Sequence, residues 1–331
     1  MPYSIAICTF NGAKYLAEQI ESILHQSMPP RQIVVSDDGS TDGTNTVVAE
    51  FIRNHPSVHW KHKVNPLRLG VIKNFEQAIQ LCDEEIVFLS DQDDIWLIDK
   101  AECLLESFEK TKYSVVFTNA KIVDENLQDL AVSMFQRINF NTIDQQLFFR
   151  NKYSMYLLLS KYHATGATMA FRKSLVLHYM PFPEAASYLH DGWIATLAAC
   201  CGELQFIDKP LILYRQHAHQ QIGANLSVFE QSLMPVKFRK QKQALMEILT
   251  EKSKRNNSVL HFFENNPKII SEERLKILKR RKILLADLLK REQSFWQKLG
   301  VLSPNLYWYK IPEFQTIRSY LRNAFLYIFD R

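Results

Sequence analysis

The chain contains no run of eighteen uninterrupted apolar residues, so nothing in it need span a bilayer. Its five cysteines, Cys8, Cys82, Cys103, Cys200 and Cys201, form no CxxC pair and make an odd count. That excludes a disulfide framework and fits a reducing compartment, with the thiols acting as small hydrophobes inside apolar runs. The opening Met1-Pro-Tyr-Ser-Ile-Ala-Ile-Cys8 lacks a basic segment ahead of a long apolar one, which argues against a secretory signal. No internal repeat or low-complexity stretch occurs. With nine glycines, twelve prolines, 47% hydrophobic and 23% charged residues, collagen-like and disordered classes are excluded too.

What remains is a globular protein of 331 residues, long enough for a large α/β domain and an appendage. Its net charge of +5 hides an asymmetry. Residues 1–230 carry 19 Lys+Arg against 26 Asp+Glu, and residues 231–331 carry 21 against 9. The acidic body argues against nucleic-acid binding, and the basic tail points to a different partner from that of the body.

Short apolar runs alternate with helical spacings in the first half. Strands are expected at Ser4–Thr9, Gln32–Ser36, Val58–Val64, Glu85–Ser90 and Ser114–Asn119, and helices at Ala13–Ser27, up to Asn54, Leu69–Leu81 and Asp99–Lys110. Ser40, Thr41 or Asp42 can cap the second helix. This order predicts a mostly parallel, Rossmann-like sheet flanked by helices. The pattern weakens over 120–165, as an insertion lying over the sheet would. It resumes with a strand at Thr168–Phe171, a helix at His190–Cys200 and a strand near Leu211–Tyr214. A boundary near 225–235 separates a catalytic domain, 1–230, from a basic helical extension, 231–331.

Two acidic clusters fall at strand ends: Asp37-Asp38, and Asp91, Asp93 and Asp94. Ligands of open parallel sheets bind beyond such ends. Like charges about 4 Å apart repel by roughly 4 kcal/mol at an effective dielectric of 20, so crowded carboxylates call for a cation or donor groups. Asp37, Asp42 and Asp99 read equally well as turn formers and caps. The D-x-D-D run exceeds what one cap needs and suits a hard divalent ion shared with phosphates.

Thr9-Phe10-Asn11, Val35-Ser-Asp-Asp-Gly-Ser-Thr-Asp42 and Leu89-Ser-Asp-Gln-Asp-Asp-Ile-Trp96, in that order, resemble the family 2 glycosyltransferases of GT-A fold, over residues 3 to about 225. The long acidic motif is most similar to a bacterial subgroup described as rhamnosyltransferases of surface polysaccharide assembly. The resemblance implies an inverting transfer from a UDP- or dTDP-sugar to a saccharide or lipid-linked saccharide. Asp38 and Gly39 would meet the pyrimidine, and Thr9, Phe10 and Asn11 would wall the nucleoside. Asp91 and Gln92 would lie near the ribose and sugar, and Asp93 would hold Mg²⁺ or Mn²⁺. Asn65 and Lys73 would border the nucleotide, although a solvated Lys73 is the alternative.

The resemblance further implies a catalytic base in Asp191, which opens a helix. His190 stands beside it where relatives commonly carry Glu. His217 is a candidate additional metal ligand and His219 a surface residue. The Gln-x-x-Arg-Trp motif of processive members is absent, which implies single addition. Trp96 and Trp193 are either sugar platforms or core. A sugar nucleotidyltransferase would need a Gly-rich basic loop after the first strand, and a receiver-like regulatory module would leave Asp191 unexplained. In the tail, Leu275, Leu278, Leu285 and Leu289 share one helix face, with five basic residues between 276 and 282. A segment from Tyr320 to Phe329 is similar in character. Such helices would lie in an anionic membrane surface, making the protein cytoplasmic and peripheral, or pack on the catalytic domain, or form a homodimer.

Overall fold

A computed structural model describes residues 1–150, 152–160, 164–183, 188–218, 220 and 238–299. The first half alternates as β1 (Tyr3–Thr9), α1 (Ala13–Leu24), β2 (Gln32–Asp37), α2 (Thr44–Asn54), β3 (His59–Val64), α3 (Val71–Leu81) and β4 (Ile86–Ser90). Then come β5 (Ile95–Trp96), α4 (Lys100–Lys110), β6 (Val115–Val123), β7 (Asp129–Ser133), α5 (Met134–Arg137), α6 (Thr142–Leu147) and α7 (Tyr153–Ser160). A 3₁₀ turn at Gly166–Thr168 leads into β8 (Met169–Arg172), α8 (Lys173–Leu177), α9 (His190–Cys201) and β9 (Leu204–Arg215). Two long helices follow, α10 (Phe238–Asn265) and α11 (Glu272–Leu299).

The nine strands among the described residues form one sheet in the order β3-β2-β1-β4-β8-β6-β9-β5, with β7 on β6. The strands β3, β2, β1 and β4 are parallel, as the alternation predicts. By contrast β8 is antiparallel to both β4 and β6, and β5 to β9. Successive strand residues feed opposite faces. Ala6, Val34, Val87 and Leu89 pack on α3 and α9, while Ile5, Ile7, Ile33 and Phe88 pack on α1 and α4. Residues 120–165 do not simply cover the sheet. The strand β6 runs on to Val123 and recruits β7, and Phe135, Phe140 and Phe148 cluster on Phe117.

The helix α9 is apolar all round and buried along its length, as such a sequence requires. Its outer side is covered by the tail: Val259, Leu260, Phe263 and Leu278 belong to the same core as Trp193 and Ile194. The leucine face of α11 is therefore turned inward, with Leu278 and Leu285 buried. That is the packing alternative, and it withdraws this face from a membrane. Arg274 donates to the Ala199 and Cys200 carbonyls at the end of α9, at 2.8 and 2.9 Å, where the helix dipole favours a cation. Arg281 is buried, 2.8 Å from Ser160 Oγ. The segment 320–329, His219 and the expected boundary at 225–235 lie outside the described residues.

Candidate active site

The chain winds outward from β1 to β3 and returns to β4 on the other side, so the strand order reverses between β1 and β4. A crevice opens beyond the strand ends at such a point. Register aligns its rim, with Thr9 beside Asp37, Asp37 beside Val64, and Ile7 beside Ser90. Because β8 runs the other way, the turn that precedes it, Gly166–Thr168, arrives at this same edge.

On the β1–β2 side, Asp37 is buried and structural. It accepts from Thr9 Oγ1 at 2.7 Å, from the Ser40 amide at 2.8 Å and from Asn45. Asp42 likewise holds the Thr44 and Ala13 amides, while the residue preceding α2 is Gly43 in a left-handed conformation. Asp99 pairs with Lys209, away from the acidic run.

Asp38 accepts from the Leu69 and Gly70 amides at 2.6 and 2.9 Å, with the Asn65 side chain 3.5 Å away. Gly39 follows at φ +82°, a value costly for any residue with a Cβ. Asn65 is fixed by Asn74 and Gln77. The Arg68 guanidinium lies 3.8 Å from the Phe10 ring centre and 3.7 Å from Asp38. Asn11 exchanges hydrogen bonds with Ser40 and the Thr41 amide. The Gln92 side chain clamps the Phe10 backbone, its Oε1 accepting at 2.8 Å and its Nε2 donating at 3.1 Å. Lys73 reaches Glu76 and the Phe182 carbonyl.

The acidic run brings three carboxylates together. Burial, then Asp93 and Asp191, push Asp91 up to about 7, against the opposing pull of Lys100. Burial raises Asp93 and Asp94 as well, and Oδ2 of Asp94 is buried without a hydrogen-bond partner. His217 Nε2 stands 2.8 Å from Asp93 Oδ2. Arg215, also buried, ties this loop down. Its Nε donates to the Asp93 carbonyl at 2.8 Å, its amide donates to Asp94, and its guanidinium pairs with Glu18.

Among the described residues no group of three or more His, Cys, Asp or Glu is arranged to hold a metal. A site of two protein donors, Asp93 and His217, fits a hard cation whose remaining ligands come from phosphate oxygens and water. The orphaned Asp94 oxygen and the raised carboxyls show that burial and mutual repulsion disfavour the ionised run, a cost that a bound cation would offset.

Asp191 opens α9. Its Oδ2 accepts from the Gly166 amide and its Oδ1 from the Gly192 amide, both at 2.8 Å. His190 stacks on Phe75 at 3.9 Å, and neither ring nitrogen has a hydrogen-bond partner. Trp96 and Trp193 are core residues, each 3% exposed, rather than exposed platforms.

Residues 4–179 match the family described as Glycosyl transferase family 2. A dTDP-rhamnosyl transferase of Shigella flexneri, RfbG, is 30% identical over 232 residues, covering 67% of this chain and 75% of its own. The chain belongs to glycosyltransferase family 2. An uncharacterised glycosyltransferase of Nostoc is 27% identical over 70% of each chain. The structure of S. aureus TarS 1–349 in complex with UDP superposes with a TM-score of 0.52 at 18% identity, covering 90% of this chain and 92% of that one. The GT-A fold is thereby shown, and the nucleotidyltransferase and receiver readings are set aside. No helix among the described residues of this nucleotide-sugar-dependent glycosyltransferase is long and apolar enough to cross a membrane.

Sequence reading missed three parts of the glycosyltransferase site: Lys100, Arg215 as an organiser of the acidic loop, and the Gly166 turn. Lys100 left a trace, since a lysine opening a helix opposes the dipole. Arg215 left none, because the hydrogen-bond partners of its side chain are 90 to 197 residues away.

Proposed function

We propose that this glycosyltransferase moves a sugar from a UDP- or dTDP-linked donor, with dTDP-rhamnose the first to try, to an acceptor hydroxyl with inversion at the anomeric carbon. The reading is supported by Asp191, a carboxylate fixed by two backbone amides, lying close enough to the Asp91–Asp94 run at the strand switch to act on Asp91 electrostatically. The relative described as a dTDP-rhamnosyl transferase supports the donor class and a role in polysaccharide or lipid-linked saccharide assembly.

Asp38 and the Thr9–Asn11 wall bind the nucleoside, with the Gln92 clamp holding the wall. Asp93 and His217 would hold Mg²⁺ or Mn²⁺, which supplies Lewis-acid stabilisation of the leaving diphosphate. Asp191 takes the acceptor proton as the new C–O bond forms, when the hydroxyl becomes acidic enough for a carboxylate to help. The two amides orient the carboxylate and leave its remaining lone pairs for the acceptor.

Asp191→Asn tests the base. General-base help contributes about 10²–10⁴ in rate, so turnover should fall by that factor while nucleotide affinity holds. Near-normal turnover would refute the assignment.

The outer side of α11 presents exposed Lys276, Lys279, Arg280 and Lys282. This ridge supports adsorption on an anionic membrane where a lipid-linked acceptor would lie. Charge reversal at Lys279, Arg280 and Lys282 should abolish co-flotation with anionic vesicles, and unchanged flotation would end that proposal.

A further inference from the structure

Lys100 is the first residue of α4, and its side chain is completely buried. An ammonium in the interior costs several kcal/mol unless its surroundings compensate. Its Nζ donates to the Ala167 carbonyl at 2.7 Å and sits 3.5 Å from the Trp96 ring centre. No carboxylate among the described residues pairs with it directly, and burial holds it well below the usual lysine range, against the opposing pull of Asp94 and Asp91.

Ala167 is the middle residue of the turn whose Gly166 amide donates to Asp191 Oδ2. That turn has no slack. A Cβ at Gly166 would lie 3.1 Å from His190 Nε2 and 3.3 Å from Asp191 Oδ2. The Lys100 Nζ therefore reaches the acceptor-side carboxylate through one carbonyl and one amide. At the same time Lys100 opens the helix that follows the acidic run and the short strand β5, so the donor side and the acceptor side share one buried lysine.

We propose that Lys100 is a positioning residue that pins the Gly166–Thr168 turn, and through it the Asp191 carboxylate, in register with the Asp91–Asp94 loop. The inference deepens the reading of Asp191 as the base and rests on it. Lys100 touches no substrate. It acts by holding the base where the acceptor hydroxyl arrives, so its loss lowers turnover without weakening nucleotide binding.

The test uses the full chain with Lys100→Met, Lys100→Arg, Gly166→Ala and, as a stability control, Leu104→Ala, a buried core position on the same helix. In the unliganded protein, hydrogen exchange of the 164–170 segment should quicken by about tenfold in Lys100→Met and not in Leu104→Ala. At saturating sugar nucleotide with Mn²⁺, Lys100→Met should lose about 10–100-fold in kcat, with KM for the donor within about threefold of the parent. Lys100→Arg should recover part of that loss. Gly166→Ala, which displaces the turn from its other end, should reproduce it.

Leu104→Ala should lower the melting temperature and keep kcat. Parental exchange in the 164–170 segment or parental kcat in Lys100→Met overturns the proposal, and so does a loss that Leu104→Ala matches. Should Lys100→Met fail to fold, Gly166→Ala decides, and normal kcat there overturns the link. If the parent turns over no UDP- or dTDP-sugar while the 164–170 segment still loosens in Lys100→Met, the functional reading fails and the mechanical link stands.

Discussion

Gly12→Ala should open the nucleoside wall without disturbing the core. A Cβ on Gly12 would lie 2.2 Å from Gln92 Oε1, 2.5 Å from its Cδ and 3.1 Å from its Cγ. Backbone strain is not the reason, because Gly12 sits at φ −107°, which any residue adopts. Gln92 is flexible and will swing away, so the cost is the clamp it makes on both backbone atoms of Phe10. At about 1 kcal/mol net per hydrogen bond, two lost bonds come to about 2 kcal/mol. Calorimetry should show a melting point lower by roughly 4 °C. If nucleotide binding must re-order the released loop at that cost, affinity for UDP or dTDP with Mn²⁺ falls by up to about thirtyfold. Gln92→Ala removes the same bonds with no clash, so Gly12→Ala/Gln92→Ala should lose no more than Gln92→Ala alone. Additive losses of about 4 kcal/mol in the double variant, or parental stability and affinity in Gly12→Ala, would refute the reasoning.

Three further outcomes follow from the same geometry. Burial holds His190 below the usual histidine range, with Asp191 opposing. The unfolded chain therefore binds the extra proton first, and this residue's share of stability is lost as pH falls below about 6.5, by at most about 1.4 kcal/mol per pH unit. Raised carboxyls such as Asp91 act with the opposite sign, so the comparison is with His190→Phe, which keeps the stack on Phe75. In urea melts the variant should gain on the parent between pH 7 and 5, and a pH-independent difference contradicts this. His217→Ala should weaken Mn²⁺ binding to the nucleotide-saturated protein by about tenfold or more, read by titration calorimetry. Equal Mn²⁺ affinity removes His217 from the metal site. Arg274→Ala loses two charged hydrogen bonds to the end of α9 and should cost about 2 kcal/mol. An unchanged melting point would show that these two bonds contribute nothing to holding the tail.

The alternation of strand and helix, the acidic residues at strand ends and the opening of α9 at His190 were all legible in the chain itself. Each is written in a window of fewer than about fifteen residues, through local periodicity and turn chemistry. The family motifs are local in the same way. Other features belong to strand order and packing. Asp37, Asp42 and Asp99 are chemically indistinguishable from Asp91 and Asp93 along the chain, yet the first three are absorbed by backbone, hydroxyl and lysine donors, while burial raises the other two and Asp93 meets His217. The leucine stripe of α11 reads the same whether it meets lipid or protein, and only the packing of α10 and α11 over α9 decided which. The contacts that assemble the site join residues far apart: Phe10 to Gln92 across 82 positions, Lys100 to Ala167 across 67, and Asp93 to His217 across 124. No local pattern records such pairings. They arise because the order reverses between β1 and β4, and because β8 runs antiparallel to bring its preceding turn to the same rim.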